Sequence, residues 1–250
     1  MVNLKETNIE DLENFDWVAY FEYNNAHLLK LDYTKHDELT KEDIKCITPS
    51  IRAFQIGEGS EGKNLKKRVK KYVEKTKDYP YEKAMDWFVV EENRHSQTLK
   101  KYMEIYNIQP LENIGIDKVF RVLRKLMGLE CEVIVLVTAE MIALSYYTAL
   151  SNATNSDLLK TICKQMLQDE LKHVVFQSYT LHKISRKRNK ILNTIVRVIR
   201  KGIMRITLQV VWIKYKELFI KGGYSKKQFK EDCVSYLNQS IQIEKNGKIL

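Results

Sequence analysis

Two short segments carry residue types whose spacing could do chemistry. In Gln168-Asp169-Glu170-Leu171-Lys172-His173 a glutamate and a histidine stand three residues apart. On a helix that spacing puts carboxylate and imidazole on one face, within reach of a single metal ion. The pattern recurs in Glu91-Glu92-Asn93-Arg94-His95, where Glu92 and His95 repeat it, and in both places a second acid precedes the glutamate. Either pair alone would be ordinary on a solvated helix face. A third acid changes the reading, because Glu140 sits between the apolar runs Val133 to Val137 and Met141 to Leu144 and an acid on a core face needs a partner. A fourth is expected from Glu58 or Glu61, which take inward positions in the stripe Phe54, Glu58, Glu61, Leu65, Val69, Tyr72. Imidazole nitrogen and carboxylate oxygen together suit iron or manganese.

Helices must position these side chains. Three prolines and nine glycines among 250 residues, against 42 Lys and Arg and 32 Asp and Glu, favour long charged helices and predict an all-α chain. Thr40, with Asp43 in the capping-box position, predicts a short helix start, and Pro49 is expected to restart the chain. A first long helix is predicted over about 50–76, with the glycines at 57, 59 and 62 demanding close backbone packing or a local irregularity. Asp78 and Pro80 mark the start of a second, to about 107. A third is expected over about 117–151, broken near Gly128, and a fourth after the polar turn Asn152–Ser156. Two more follow, over about 189–220 and 225–240. At ~1.5 Å per residue Glu140 lies ~17 Å before its turn and Glu170 ~20 Å after it, so an antiparallel hairpin brings them level. In the first hairpin a straight helix favours Glu61, at ~21 Å, over Glu58, at ~26 Å, as the match to Glu92 at ~20 Å.

The 44% hydrophobic content allows one sizeable core. The expected organisation is a lead-in over 1–49 packing on the bundle, the bundle itself over 50–185, and basic C-terminal helices over 186–250. Cys46, Cys131, Cys163 and Cys233 are scattered and form no CxxC pair, which suits a reducing cytoplasm. The segment Met1 to Asp16 lacks the order of a signal peptide. No uninterrupted apolar run approaches the ~20 residues of a spanning helix. The net charge is +10, and no acid occurs between Glu170 and Glu217. The block 183–205 interleaves its cations with Ile191, Leu192, Ile195, Val196, Val198, Ile199, Ile203 and Met204. Such a helix is expected to dock its apolar side and show cations to water, with an anionic membrane surface, nucleic acid or acidic carrier protein as alternative partners.

The order Glu, Glu-x-x-His, Glu, Glu-x-x-His resembles the ferritin-like superfamily, which includes rubrerythrins, bacterioferritins and di-iron N-oxygenases. The stretch Phe54-Gln55-Ile56-Gly57-Glu58-Gly59-Ser60-Glu61-Gly62 is similar to that of uncharacterised bacterial ferritin-like proteins, and the likeness covers about 50–180. It implies an antiparallel four-helix bundle with a lead-in and extra C-terminal helices. It also implies two Fe ions, with Mn at one or both positions as the variant, held by Glu58, Glu92, His95, Glu140, Glu170 and His173, with Glu92 and Glu170 between the metals. Glu58 is the acid the likeness favours, whereas straight register favours Glu61. The implied function is a non-haem di-iron or Mn/Fe oxidase or oxygenase activating O2 or peroxide on an unidentified small substrate. The alternatives are a ferroxidase handling iron without an organic substrate, and a scaffold or partner-binding bundle. Met166 stands where the N-oxygenase branch has an extra histidine, and the CxxC pair of rubrerythrins is missing, so an external electron donor or the substrate must supply electrons. Tyr147, two turns past Glu140, is a candidate redox tyrosine beside its plainer reading as core. Glu91 and Asp169 are expected beside the site or at solvent, with Arg94 and Lys172 offsetting charge. A homodimer is a further expected association. A rival fold is hinted at by Gly57 to Asn64, one residue short of a phosphate-binding loop, with Val133–Glu140 as its strand.

Overall fold

The computed structural model describes residues 3–34, 39–59, 62–111 and 128–249. Among them every regular element is helical: a 3-10 turn over Leu4–Thr7, then α1 (Trp17–Ala26), α2 (Lys41–Glu58), α3 (Lys63–Thr76), α4 (Tyr79–Ile105), α5 (Gly128–Ala153), α6 (Asp157–Ser185), α7 (Lys190–Lys221) and α8 (Lys226–Asn246). The all-α class is as expected, and Val133–Glu140 is helix within α5, which removes the strand required by the phosphate-loop reading. The chain forms two compact units of interleaved segments. One comprises Asp16–Glu132 and Thr154–Met166, the other Met1–Phe15, Val133–Ala153 and Leu167–Leu250.

In the first unit α4 is the helix against which α1, α2 and α3 all pack. Its start is fixed by Asp78, whose carboxylate accepts from the Tyr81 amide at 3.2 Å, with Pro80 in the first turn. Tyr81, Met85, Phe88, Glu92, His95, Leu99 and Tyr102 recur at three- and four-residue steps and are all buried, so two ligand-type residues hold core positions. The cap at Thr40 is found, with Asp43 returning the hydrogen bond to the Thr40 amide.

Two expectations for this unit are corrected. Pro49 does not restart the chain, because α2 runs through it. A proline inside a helix deletes one backbone bond; here Ile47 and Ile51 are buried and the helix is held by packing on α4. The single helix over 50–76 is two helices, α2 ending at Glu58 and α3 beginning at Lys63. Gly59, the residue after α2, has no room for a side chain. A Cβ there would stand 2.7 Å from Ser96 Oγ and 3.3 Å from Ser96 Cβ.

In the second unit α7 packs on α8 around Met204, Phe219, Phe229 and Tyr236. The N-terminal segment joins it through the Leu4 amide, which donates to Gln239 Oε1 at 3.1 Å, and through the Thr7 carbonyl, which accepts from Lys172. Gly222 ends α7 where a Cβ would meet the Ala149 backbone at 2.3 Å, so only glycine lets that helix end approach α5 so closely. Of the third predicted helix, α5 begins at Gly128 and residues 112–127 lie outside the described residues. Among the described residues α5 alone is long and apolar enough to cross a membrane, although no such run was expected. Its 18-residue window is 89% buried.

Candidate metal centre

Each unit assembles one histidine and two glutamates. In the first, α2 ends on Glu58, and α4 presents Glu92 and His95 one helical step apart. His95 Nδ1 lies 3.6 Å from Glu58 Oε2 and 3.8 Å from Glu92 Oε1. In the second, α5 presents Glu140 and α6 presents Glu170 and His173. His173 Nδ1 lies 3.4 Å from Glu170 Oε2 and 3.9 Å from Glu140 Oε2. All six residues are buried. Within each triad one donor atom from every residue lies within 4.8 Å of the others.

These separations are informative. They exceed the ~2.7–3.2 Å of a good hydrogen bond. Ligands at about 2.1 Å from one octahedral ion stand about 3.0 Å apart when adjacent and about 4.2 Å when opposite. The 3.4–3.9 Å values lie between these two, so small side-chain adjustments would bring each triad around a common cation. The donor chemistry agrees, since two carboxylates and one imidazole suit iron or manganese.

Electrostatics point the same way. Burial first, then the charge of Glu170 and its hydrogen bond, push the Glu140 carboxyl well above the ordinary value of 4.5, and His173 opposes the shift. Three other buried acids meet guanidinium groups. Glu91 pairs with Arg94 at 2.7 Å and also accepts from Asn24; Glu132 pairs with Arg68 at 2.8 Å; Glu244 pairs with Arg197 at 2.9 Å and with Arg200. In the two triads acids face acids and an imidazole. Such an arrangement is costly unless protons or cations neutralise it.

Several expectations are thereby resolved. Glu140 and Glu170 come level across the α5–α6 turn, as the register argument required. Glu58 joins His95, whereas Glu61 lies outside the described residues. The straight-helix count that favoured Glu61 assumed one continuous helix, whereas α2 ends at Glu58 and α3 begins at Lys63. Glu91 is buried rather than solvent-facing, and Arg94 is committed to it. Lys172 donates to the Thr7 carbonyl. Tyr147 is fully buried with its ring centroid 5.0 Å from that of Tyr146; two turns place it about 10 Å along α5 from Glu140. Sequence reasoning missed Ser96, whose hydroxyl donates to the Gln55 carbonyl at 2.7 Å and accepts from the Gln55 amide group at 2.9 Å. That clasp joins the last turn of α2 to α4 beside His95. Its one signal was its place four residues after Glu92, on the same face of the helix.

No family model matches this chain, and comparison with curated proteins and with solved structures finds no match.

Proposed function

We propose that each triad holds one divalent metal ion, and that the chain is a non-haem di-iron or Mn/Fe oxidase or oxygenase of the ferritin-like type acting on a small substrate. One observation carries the reading: both units present the same buried Glu, Glu and His set, with the imidazole Nδ1 3.4–3.9 Å from two carboxylates. Charge supports the count of two, since four carboxylates bring four negative charges and two divalent ions balance them. Two Fe(II) ions, when bound, supply the electrons that activate O2 or peroxide. The chain's residues hold and shield that chemistry. Glu58, Glu92, Glu140 and Glu170 give up their protons to bind metal, His95 and His173 contribute neutral nitrogen, and the Gln55–Ser96 clasp keeps Glu58 at the end of α2. Burial of all six excludes bulk water.

Anaerobic titration with Fe(II), followed by air, tests this. About two metals per chain and new near-ultraviolet absorption are expected, and His95→Ala and His173→Ala should each lower the metal count. Less than one metal per chain from both iron and manganese overturns the proposal. Light scattering separates the enzyme from iron storage, which needs a hollow shell of many subunits: a monomer or dimer fits the enzyme.

A further inference from the structure

Helix α7 is apolar on two opposite faces. Its inner face, including Met204, Leu208 and Val211, is buried. At 100° per residue, Ile191, Ile195, Val198, Ile206 and Ile213 form one stripe on the other side, and these five are between 49% and 70% exposed. Of the apolar residues expected to dock against the protein, Met204 is buried, whereas Ile191, Leu192, Ile195, Val198 and Ile199 are exposed. The stripe runs about 33 Å before the backbone leaves helical geometry at Tyr215. Arg205 lies at one edge of it, with Lys190 and Lys201 further round that side and Lys214 further round the other, and Glu217 is the one acid of α7. Beside Ile206 a groove of about 430 Å3 opens between α7 and α8. Its apolar lining includes Val210, Trp212 and Phe229, and Arg205, Lys226 and Lys230 stand around it.

The composition of this surface selects among occupants. A second copy of the chain would set Lys201, Arg205 and Lys226 against like charges, which repel. A nucleic acid would use the cations but leave the isoleucines in water. An anionic bilayer uses both, taking apolar side chains below its headgroups and cations among its phosphates. Trp212, at the boundary, has the residue type favoured at that depth. We propose that α7 lies in the interface of an anionic phospholipid bilayer, its isoleucine stripe inserted and Arg205, Lys226 and Lys230 holding a lipid phosphate at the groove.

Co-sedimentation of the full chain with phosphatidylglycerol–phosphatidylcholine vesicles, against pure phosphatidylcholine, is the test. Binding to the anionic vesicles alone, weakened by salt and accompanied by a blue shift of tryptophan emission that Trp212→Phe removes, is expected. Replacing Ile195 and Ile206 by Asp should cost about tenfold or more per residue. Replacing Arg205, Lys226 and Lys230 by Gln should cost about fivefold each. All five positions are on the surface, and circular dichroism checks that the variants fold. Equal binding to neutral vesicles, or no loss in either variant, overturns the proposal. So does retention by RNA without vesicle binding, or a concentration-dependent dimer lost in the Ile→Asp variant without vesicle binding.

Discussion

Replacing Glu140 by Gln should make the metal-free protein more stable and the metal-loaded protein less so. Burial and the neighbouring Glu170 raise the Glu140 carboxyl well above 4.5, so the folded chain holds that proton more tightly than the unfolded chain does. The resulting stabilisation is fully present below the unfolded value and is lost as pH rises toward the folded one. The loss is at most about 1.4 kcal/mol per pH unit, hence at most about 3 kcal/mol between pH 4.5 and 7. Glutamine keeps the shape and cannot ionise. In EDTA, Glu140→Gln should match the parent near pH 4.5 and gain on it as pH rises to 8. For a chain of this size about 3 kcal/mol corresponds to a Tm difference of roughly 6–12 °C. Subtracting the two denaturation series removes the distant acids, which titrate alike in both, and leaves Glu140 with the Glu170 and His173 it is coupled to. Adding Fe(II) anaerobically, or Mn(II), at about 1,000 Kd should reverse the order at pH 7, since that adds about 4 kcal/mol to the parent, more than the gap of about 3 kcal/mol, and the variant lacks a charged donor. A stability gap independent of pH, or equal stabilisation of both proteins by metal, would refute the reasoning.

Other consequences are as direct. Gly59→Ala forces a Cβ to 2.7 Å from Ser96 Oγ and should cost about 1–3 kcal/mol; Ser96→Ala added to it should recover part of that loss in a double-mutant cycle, and no recovery would contradict the clash. Burial pushes the Cys233 thiol up to about 12 and raises Cys163 as well, and the thiolate is the reactive form. At pH 8 a thiol reagent should therefore leave both untouched in the native protein, while Cys46 and Cys131, partly exposed, react first; mass spectrometry of the labelled protein decides. Glu244→Gln leaves the fully buried Arg200 and its neighbour Arg197 without their shared carboxylate, and urea denaturation should show a loss of about 3–5 kcal/mol.

Local periodicity made much of this protein readable from its sequence. The helical class, the start of α4, the cap at Thr40 and the shared face of each Glu-x-x-His pair all depend on residues within one or two turns of each other. The pairing of Glu140 with Glu170 was legible too, because a short turn ties the register of α5 to that of α6. Where the chain departs from a straight helix that arithmetic fails. That α2 ends at Glu58 rather than running on is not in the helical period, and neither is the contact by which Ser96, some forty residues away, leaves no room for a side chain at Gly59. Helical spacing likewise cannot tell a metal-type acid from one bound by arginine. Glu91, beside Glu92 in sequence, is satisfied by Arg94 and Asn24, and Glu132 by Arg68 across a gap of more than sixty residues. The stripe on α7 follows the same rule: sequence shows that the helix is apolar and basic, but only packing decides which apolar face the protein covers and which it leaves to solvent.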